Sequence, residues 1–167
     1  MVMKEYILQY YASEKQGAAW GIALGVAFIG VAVWLWHAAG SASFQRGMGH
    51  ALLSTGALIV VATIVTVVHN HRRIIQTKEM PVVSNTDLQR SEVSRMEKVM
   101  ATAYIGGLVI FSMATVTGIA LLTLAQKQLL KGVGLGLFLF GLIGIGAELF
   151  SLKRNRQYLE EIRQLKF

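Results

Sequence analysis

Residues 17–39 read Gly-Ala-Ala-Trp-Gly-Ile-Ala-Leu-Gly-Val-Ala-Phe-Ile-Gly-Val-Ala-Val-Trp-Leu-Trp-His-Ala-Ala, without one Asp, Glu, Lys or Arg. About 20 such residues, wound as a helix, cross the roughly 30 Å of hydrocarbon in a bilayer. Three more blocks of this kind follow, at 47–68, 99–125 and 132–152, and the one acid or base among all four is Glu148. Backbone groups inside lipid must be paired within their own segment, so each block is predicted to be a helix. The fold class that follows is an all-α integral membrane protein, with four long transmembrane helices in an up-down bundle built as two tandem helical hairpins. The whole of 1–167 forms one domain, because the longest polar stretch is about 30 residues, well below a typical folded unit. The first block is read as a span and not as a cleaved leader, despite the small residues Ala38-Ala39-Gly40-Ser41-Ala42. It is too long, and the segment before it carries Glu5 and Glu14.

Charge gives the orientation. The chain has 16 Lys+Arg against 9 Asp+Glu, a formal +7. On a soluble domain that excess points to nucleic acid. Here the basic residues flank apolar blocks, which is the pattern of membrane topology, and no nucleic-acid partner is expected. Lys4, Lys15, Arg72, Arg73, Lys78, Arg90, Arg95, Lys98, Lys153, Arg154, Arg156, Arg163 and Lys166 lie on one side, and Arg46, Lys127 and Lys131 on the other. The positive-inside rule then places both termini and the middle loop in the cytoplasm, with a bacterial inner membrane as the expected location. Cysteine is absent, which excludes disulfides, thiol catalysis and thiolate metal sites.

The polar segments on the terminal side continue as helix. Residues 86–98 hold no Gly or Pro, and Thr86 with Gln89 fits a capping box. Leu88, Val93, Met96 and Met100 form a stripe, and Asp87–Arg90 and Glu92–Arg95 are spaced as ion pairs on adjacent turns. Leu149, Leu152, Leu159, Ile162 and Leu165 repeat the helical period in the tail. Four helices are expected near 4–39, 43–79, 86–125 and 128–165, each about 55 Å long at 1.5 Å per residue. The part beyond the hydrocarbon should project as a short helical stalk, with Pro81 breaking the chain between the second and third helices.

All 17 glycines fall in the spans or the opposite loops and none in the stalk. Small residues let membrane helices approach closely. Gly17, Gly21 and Gly25 make two GxxxG steps, and Gly132–Gly136 and Ala114–Gly118 one each. They are read as packing seams inside one bundle, with a homodimer seam as the alternative. A faint repeat relates Arg46-Gly-Met-Gly at 46–49 to Lys131-Gly-Val-Gly at 131–134, with Gly56 and Gly141 in step. Glu14-Lys15 and Glu97-Lys98 are read as occupying matching places before the first and third spans. Two hairpins in tandem insert in the same direction, related by an axis along the membrane normal.

Chemistry is sparse. Glu148 lies about 7 Å inside the fourth span, where an ionisable group is a functional candidate by default. It would bind a cation, relay protons or receive a basic residue of a partner; the plainer reading pairs it with His69, His71 or Arg72. His37 and His50 share one edge, but two histidines fall short of the three or four protein ligands of a zinc site, and no metal or other cofactor is expected. Trp20, Trp34, Trp36, Tyr104 and Phe44 suit an aromatic belt. Tyr6, Tyr10 and Tyr11, with Arg90 and Arg95, are candidates for binding a partner, against packing within the stalk for the tyrosines. Thr55, Thr63, Thr66, Ser112, Thr115, Thr117 and Thr123 line the middle helices, where hydroxyls commonly bond their own helix. No HExxH, GxSxG, phosphate loop or dinucleotide fingerprint occurs. The expected function is therefore non-enzymatic binding of another protein at the inner membrane, as an immunity protein against a membrane-acting toxin or a small subunit of a membrane complex. The rival is a small homo-oligomeric ion channel or transporter using Glu148; a membrane-anchored sensor stands third. Expected partners are membrane lipid and either a protein partner or further copies of the chain.

Overall fold

The computed structural model describes residues 3–39, 43–79 and 84–165, with Ala103 as backbone alone. Four α-helices account for nearly all of them: α1 Met3–Ala38, α2 Ser43–Glu79, α3 Asn85–Leu124 and α4 Gln128–Gln164. All four are long and apolar enough to cross a membrane. The expected bounds agree to within one residue at every end. Pro81 lies outside the described residues.

The chain is an integral membrane bundle with an ordered extension. In the spans the apolar side chains point outward. Trp20, Trp34, Val65, Met113, Val116 and Phe150 are well exposed, as suits side chains whose solvent is lipid. Beyond the spans the pattern inverts. Met3, Ile7 and Tyr11 of α1, Met96 of α3 and Tyr158, Leu159 and Ile162 of α4 form a buried core, with Ile74 of α2 packed against it. Spacings of three and four residues bring these groups to one face of each helix. Burying a side chain of this size contributes about 1.5–3 kcal/mol, so the stalk has a driving force of its own.

α1 packs along α2 and α3 along α4, giving two antiparallel hairpins, and these join chiefly through α2 against α4. The crossing is made by glycine. A Cβ at Gly47 would strike the carbonyl oxygen of Leu129, and one at Gly132 would strike that of Phe44. The same two Cβ positions would lie 3.1 and 2.8 Å from the backbone nitrogens of Val133 and Met48. These contacts are reciprocal, as across a two-fold axis. An offset of 85 residues converts one into the other. Within the hairpins the same holds, with an offset of 86 between α1 and α3. A Cβ at Gly49 would lie 3.2 Å from the Ala32 carbonyl oxygen, and one at Gly134 2.8 Å from that of Gly118. Gly21 faces Thr63, and Gly107 faces Glu148.

This register extends the repeat and corrects it. Asn70 and Asn155 are equivalent, both buried, each between basic neighbours: His69 and His71, Arg154 and Arg156. The Glu14 and Glu97 pair, by contrast, is out of step. Glu14 is ion-paired to Arg154 and Glu97 to Arg163, each at 2.5 Å, in unrelated surroundings.

The glycine steps are occupied inside the bundle. Gly25 lies against Val60 and the Gly56 carbonyl, Gly17 beneath Arg154 and Gly136 against Ala51. The capping box does not form: Ser84 is the residue before α3, and it makes no side-chain cap bond. Gln89 instead donates to the carbonyls of Ile162 and Leu165, at 2.5 and 2.8 Å. The last carbonyls of a helix have no partner within it, and those of α4 draw the Gln89 amide across. Asp87 and Arg90 form no ion pair, whereas Glu92 and Arg95 do.

Candidate functional site

The polar interior is concentrated where the bundle meets the stalk. Glu92 is 4% exposed, and Arg95 grips it through Nε at 2.8 Å and Nη2 at 2.6 Å. The spacing of three residues on α3 stacks the two side chains on adjacent turns. Tyr158 of α4 adds a hydrogen bond from its hydroxyl to Glu92, at 3.1 Å. The Arg95 guanidinium also lies 5.3 Å from the Tyr11 ring centroid, and Arg73 of α2 donates to the Tyr11 hydroxyl at 3.2 Å. A second chain of bonds climbs toward the lipid. The Tyr10 hydroxyl donates to Asn155 at 2.9 Å, Asn155 donates to Tyr104, and Tyr104 meets Ser151 at 3.1 Å. Tyr10 stacks on Tyr158 with centroids 3.9 Å apart, and Tyr6, bonded to Glu161, stacks on the same ring at 5.6 Å.

The electrostatics follow from burial. Burial raises Tyr10 and Tyr158 above the ordinary phenol range, and Glu92 adds to the rise at Tyr158. Tyr6 is pushed up to about 12 by burial and by Glu161. Arg95 is held charged: burial opposes it, but the bonds and charge of Glu92 prevail. Burial also lifts Glu14, against the pull of Arg154.

These contacts decide what each sequence candidate is free to do. Tyr11 is 2% exposed and sits in the stalk core. Tyr6 and Tyr10 are half-buried in the tyrosine stack. Arg95 is spent on Glu92 and Tyr11. Arg90 is exposed on the surface of α3 and has no hydrogen-bond or ion-pair partner among the described residues. Tyr104 is buried in the polar chain and does not belong to an aromatic belt, whereas Trp20 and Trp34 are 75% and 65% exposed. Five of the seven span hydroxyls turn back on their own helices: Thr55 bonds Ala51, Thr63 bonds Ile59, Thr66 bonds Ala62, Thr115 bonds Phe111 and Thr123 bonds Ile119, at 2.6–3.0 Å. His50 packs edge-on against Trp36, and no group of three or more metal-binding side chains occurs among the described residues.

Glu148 stands apart from the network. Its carboxyl lies against Gly107 of α3, where the missing side chain makes room for it. It pairs with neither His69, His71 nor Arg72, and among the described residues it has no hydrogen-bond or ion-pair partner. It opens instead on a cleft of about 480 Å³ lined by all four helices, with Phe111 as the contribution of α3. Trp20, Phe111 and Phe150 contribute aromatic wall, and the Glu14–Arg154 pair closes the stalk end. Arg154 Nε there is buried without a hydrogen-bond partner. Sequence reasoning singled out Glu148 but missed Glu14, Arg154, Asn155 and Tyr158. The signal available for two of these, Arg154 and Asn155, was the basic-Asn-basic triplet shared by α2 and α4.

No protein-family model matches the chain, and no curated protein or solved structure matches it either.

Proposed function

We propose that this chain is a non-enzymatic protein of a bacterial inner membrane, with both termini in the cytoplasm, that acts by holding another protein on its stalk. The two concrete forms are an immunity protein against a membrane-acting toxin and a small subunit of a membrane complex. The observation that supports this reading is the stalk itself. It is a folded bundle with a core and an internally closed ionic network, larger than spanning a bilayer requires. Between α3 and α4 it offers a groove of about 590 Å³, floored by Met100 and Leu159 and rimmed by Glu97, Arg156, Glu160 and Arg163. An apolar floor with a charged rim is the general anatomy of a protein-binding surface.

The test is purification of the tagged protein from its own membrane in mild detergent, with mass determination of whatever accompanies it. A stoichiometric foreign protein that is lost on Arg156→Glu/Glu160→Arg is the expected result. A homo-oligomer alone, or a companion indifferent to the groove, would sink the proposal.

One observation favours the channel reading: Glu148 is unpaired inside a span. Against it, most of the span hydroxyls are engaged with their own helices, and the Gly47–Gly132 crossing brings backbones into contact at the far end. If copies of the chain do conduct ions, flux in reconstituted vesicles should vanish on Glu148→Gln.

A further inference from the structure

We propose that the cleft beside Glu148 binds an amphipathic organic cation that enters from the lipid, with the Glu148 carboxylate as its counter-ion. The position of Glu148 is not demanded by packing. Its two-fold equivalent is Thr63, which lies against Gly21 as Glu148 lies against Gly107. A small neutral side chain therefore serves the same helix contact in the other hairpin. Replacing it with an acid adds charge without adding a partner. An unpaired carboxylate inside a span is costly, and a bound cation offsets that cost.

The surroundings specify the class of cation. Glu14 and Arg154 neutralise each other at the stalk end of the cleft, which leaves one net negative charge, at Glu148. Trp20 and Phe150 are 75% and 70% exposed, so the mouth of the cleft faces the bilayer. Aromatic faces attract a desolvated organic cation. An inorganic divalent ion needs six or so oxygen ligands. Besides Glu148, the side-chain oxygens lining the cleft are three neutral hydroxyls, of Thr63, Thr66 and Ser151, and the Glu14 carboxylate already paired with Arg154, a poor set for such an ion. A phospholipid headgroup fits poorly in depth: Glu148 lies six residues, roughly 9 Å, farther into the span than Arg154, so a headgroup ammonium would sit well above it. A basic side chain on a partner helix would bring a cylinder about 10 Å wide. A cleft of about 480 Å³ is instead in the range that encloses a small molecule. The proposal is independent of the protein-partner reading, which concerns the stalk groove.

The experiment is isothermal titration of the full chain, purified in a neutral maltoside detergent, with tetraphenylphosphonium as the probe. Saturable binding of one cation per chain is expected. Glu148→Gln should weaken it at least tenfold, Glu148→Asp should keep it within about threefold, and Trp20→Leu should weaken it severalfold. Circular dichroism of each variant must match the parent chain. Equal binding by the parent and Glu148→Gln, or no saturable binding, would overturn the proposal. Displacement of the probe by short-chain phosphatidylethanolamine would overturn it in favour of a headgroup. Absence of probe binding, with a co-purifying protein lost on Glu148→Gln, would assign the carboxyl to a partner's basic residue.

Discussion

A carboxylate shut inside a stalk of tyrosines and arginines has a definite energetic role. Glu92 is stable there because Arg95 and Tyr158 satisfy its oxygens. Removing one member of a fully buried pair typically costs about 3–5 kcal/mol. Arg95 is 26% exposed, so Arg95→Ala should cost nearer 2 kcal/mol, read as earlier unfolding by circular dichroism. Glu92→Leu/Arg95→Leu should lose less than that single change, since neither charge is then left alone. The tyrosines give a pH prediction. A phenol whose folded pKa is raised contributes stability that is complete below about 10 and lost as pH rises through the folded value. Absorbance at the phenolate band should therefore show Tyr6, Tyr10 and Tyr158 still protonated past the free-phenol range, and then titrating together with loss of stalk helicity. Little of this was legible from the residues alone. Glu92–Arg95 was visible because both partners share one helix. Its burial was not, since Glu92 occupies a core position where a hydrophobic pattern looks for an apolar residue. The partners of Gln89 and Tyr10 come from α4, and no local spacing encodes a contact across so much chain.

At the level of the helices, the glycines divide into two kinds. Gly47 and Gly132 sit where two backbones touch, and a methyl at either would collide with a carbonyl. Gly47→Ala and Gly132→Ala should each destabilise the bundle by about 1–3 kcal/mol, by nearly equal amounts because their contacts are equivalent. Gly30, Gly106 and Gly146 have open space around the missing side chain. Alanine there should be neutral or mildly stabilising in a thermal-shift assay, since alanine is the better helix former. The helices themselves were readable nearly to the residue. Four apolar blocks fix the spans, and the stalk periodicity carries each helix onward. What composition could not separate is which small residues touch another helix and which face lipid. The GxxxG spacing sets Gly25 apart, but nothing separates Gly106 from Gly107 until α4 is laid against α3.

For the molecule as a whole, the two hairpins are related by a two-fold axis that the pair Gly47–Gly132 straddles. The repeat was detectable from three glycines in step. It became secure only when Asn70 and Asn155 came to equivalent buried places, because lipid-facing positions drift freely within an apolar alphabet. The symmetry is broken at Thr63 and Glu148, and the candidate site lies at the break. The same architecture has a consequence for biogenesis. Each hairpin enters and leaves the bilayer on one side and closes its own turn, so each is a complete insertion unit. The glycine crossing then forms by lateral encounter of two segments already in place. Coexpressed fragments 1–81 and 82–167 should accordingly find each other in the membrane and rebuild the crossing without a covalent link, whereas the same pair bearing Gly47→Leu should stay apart.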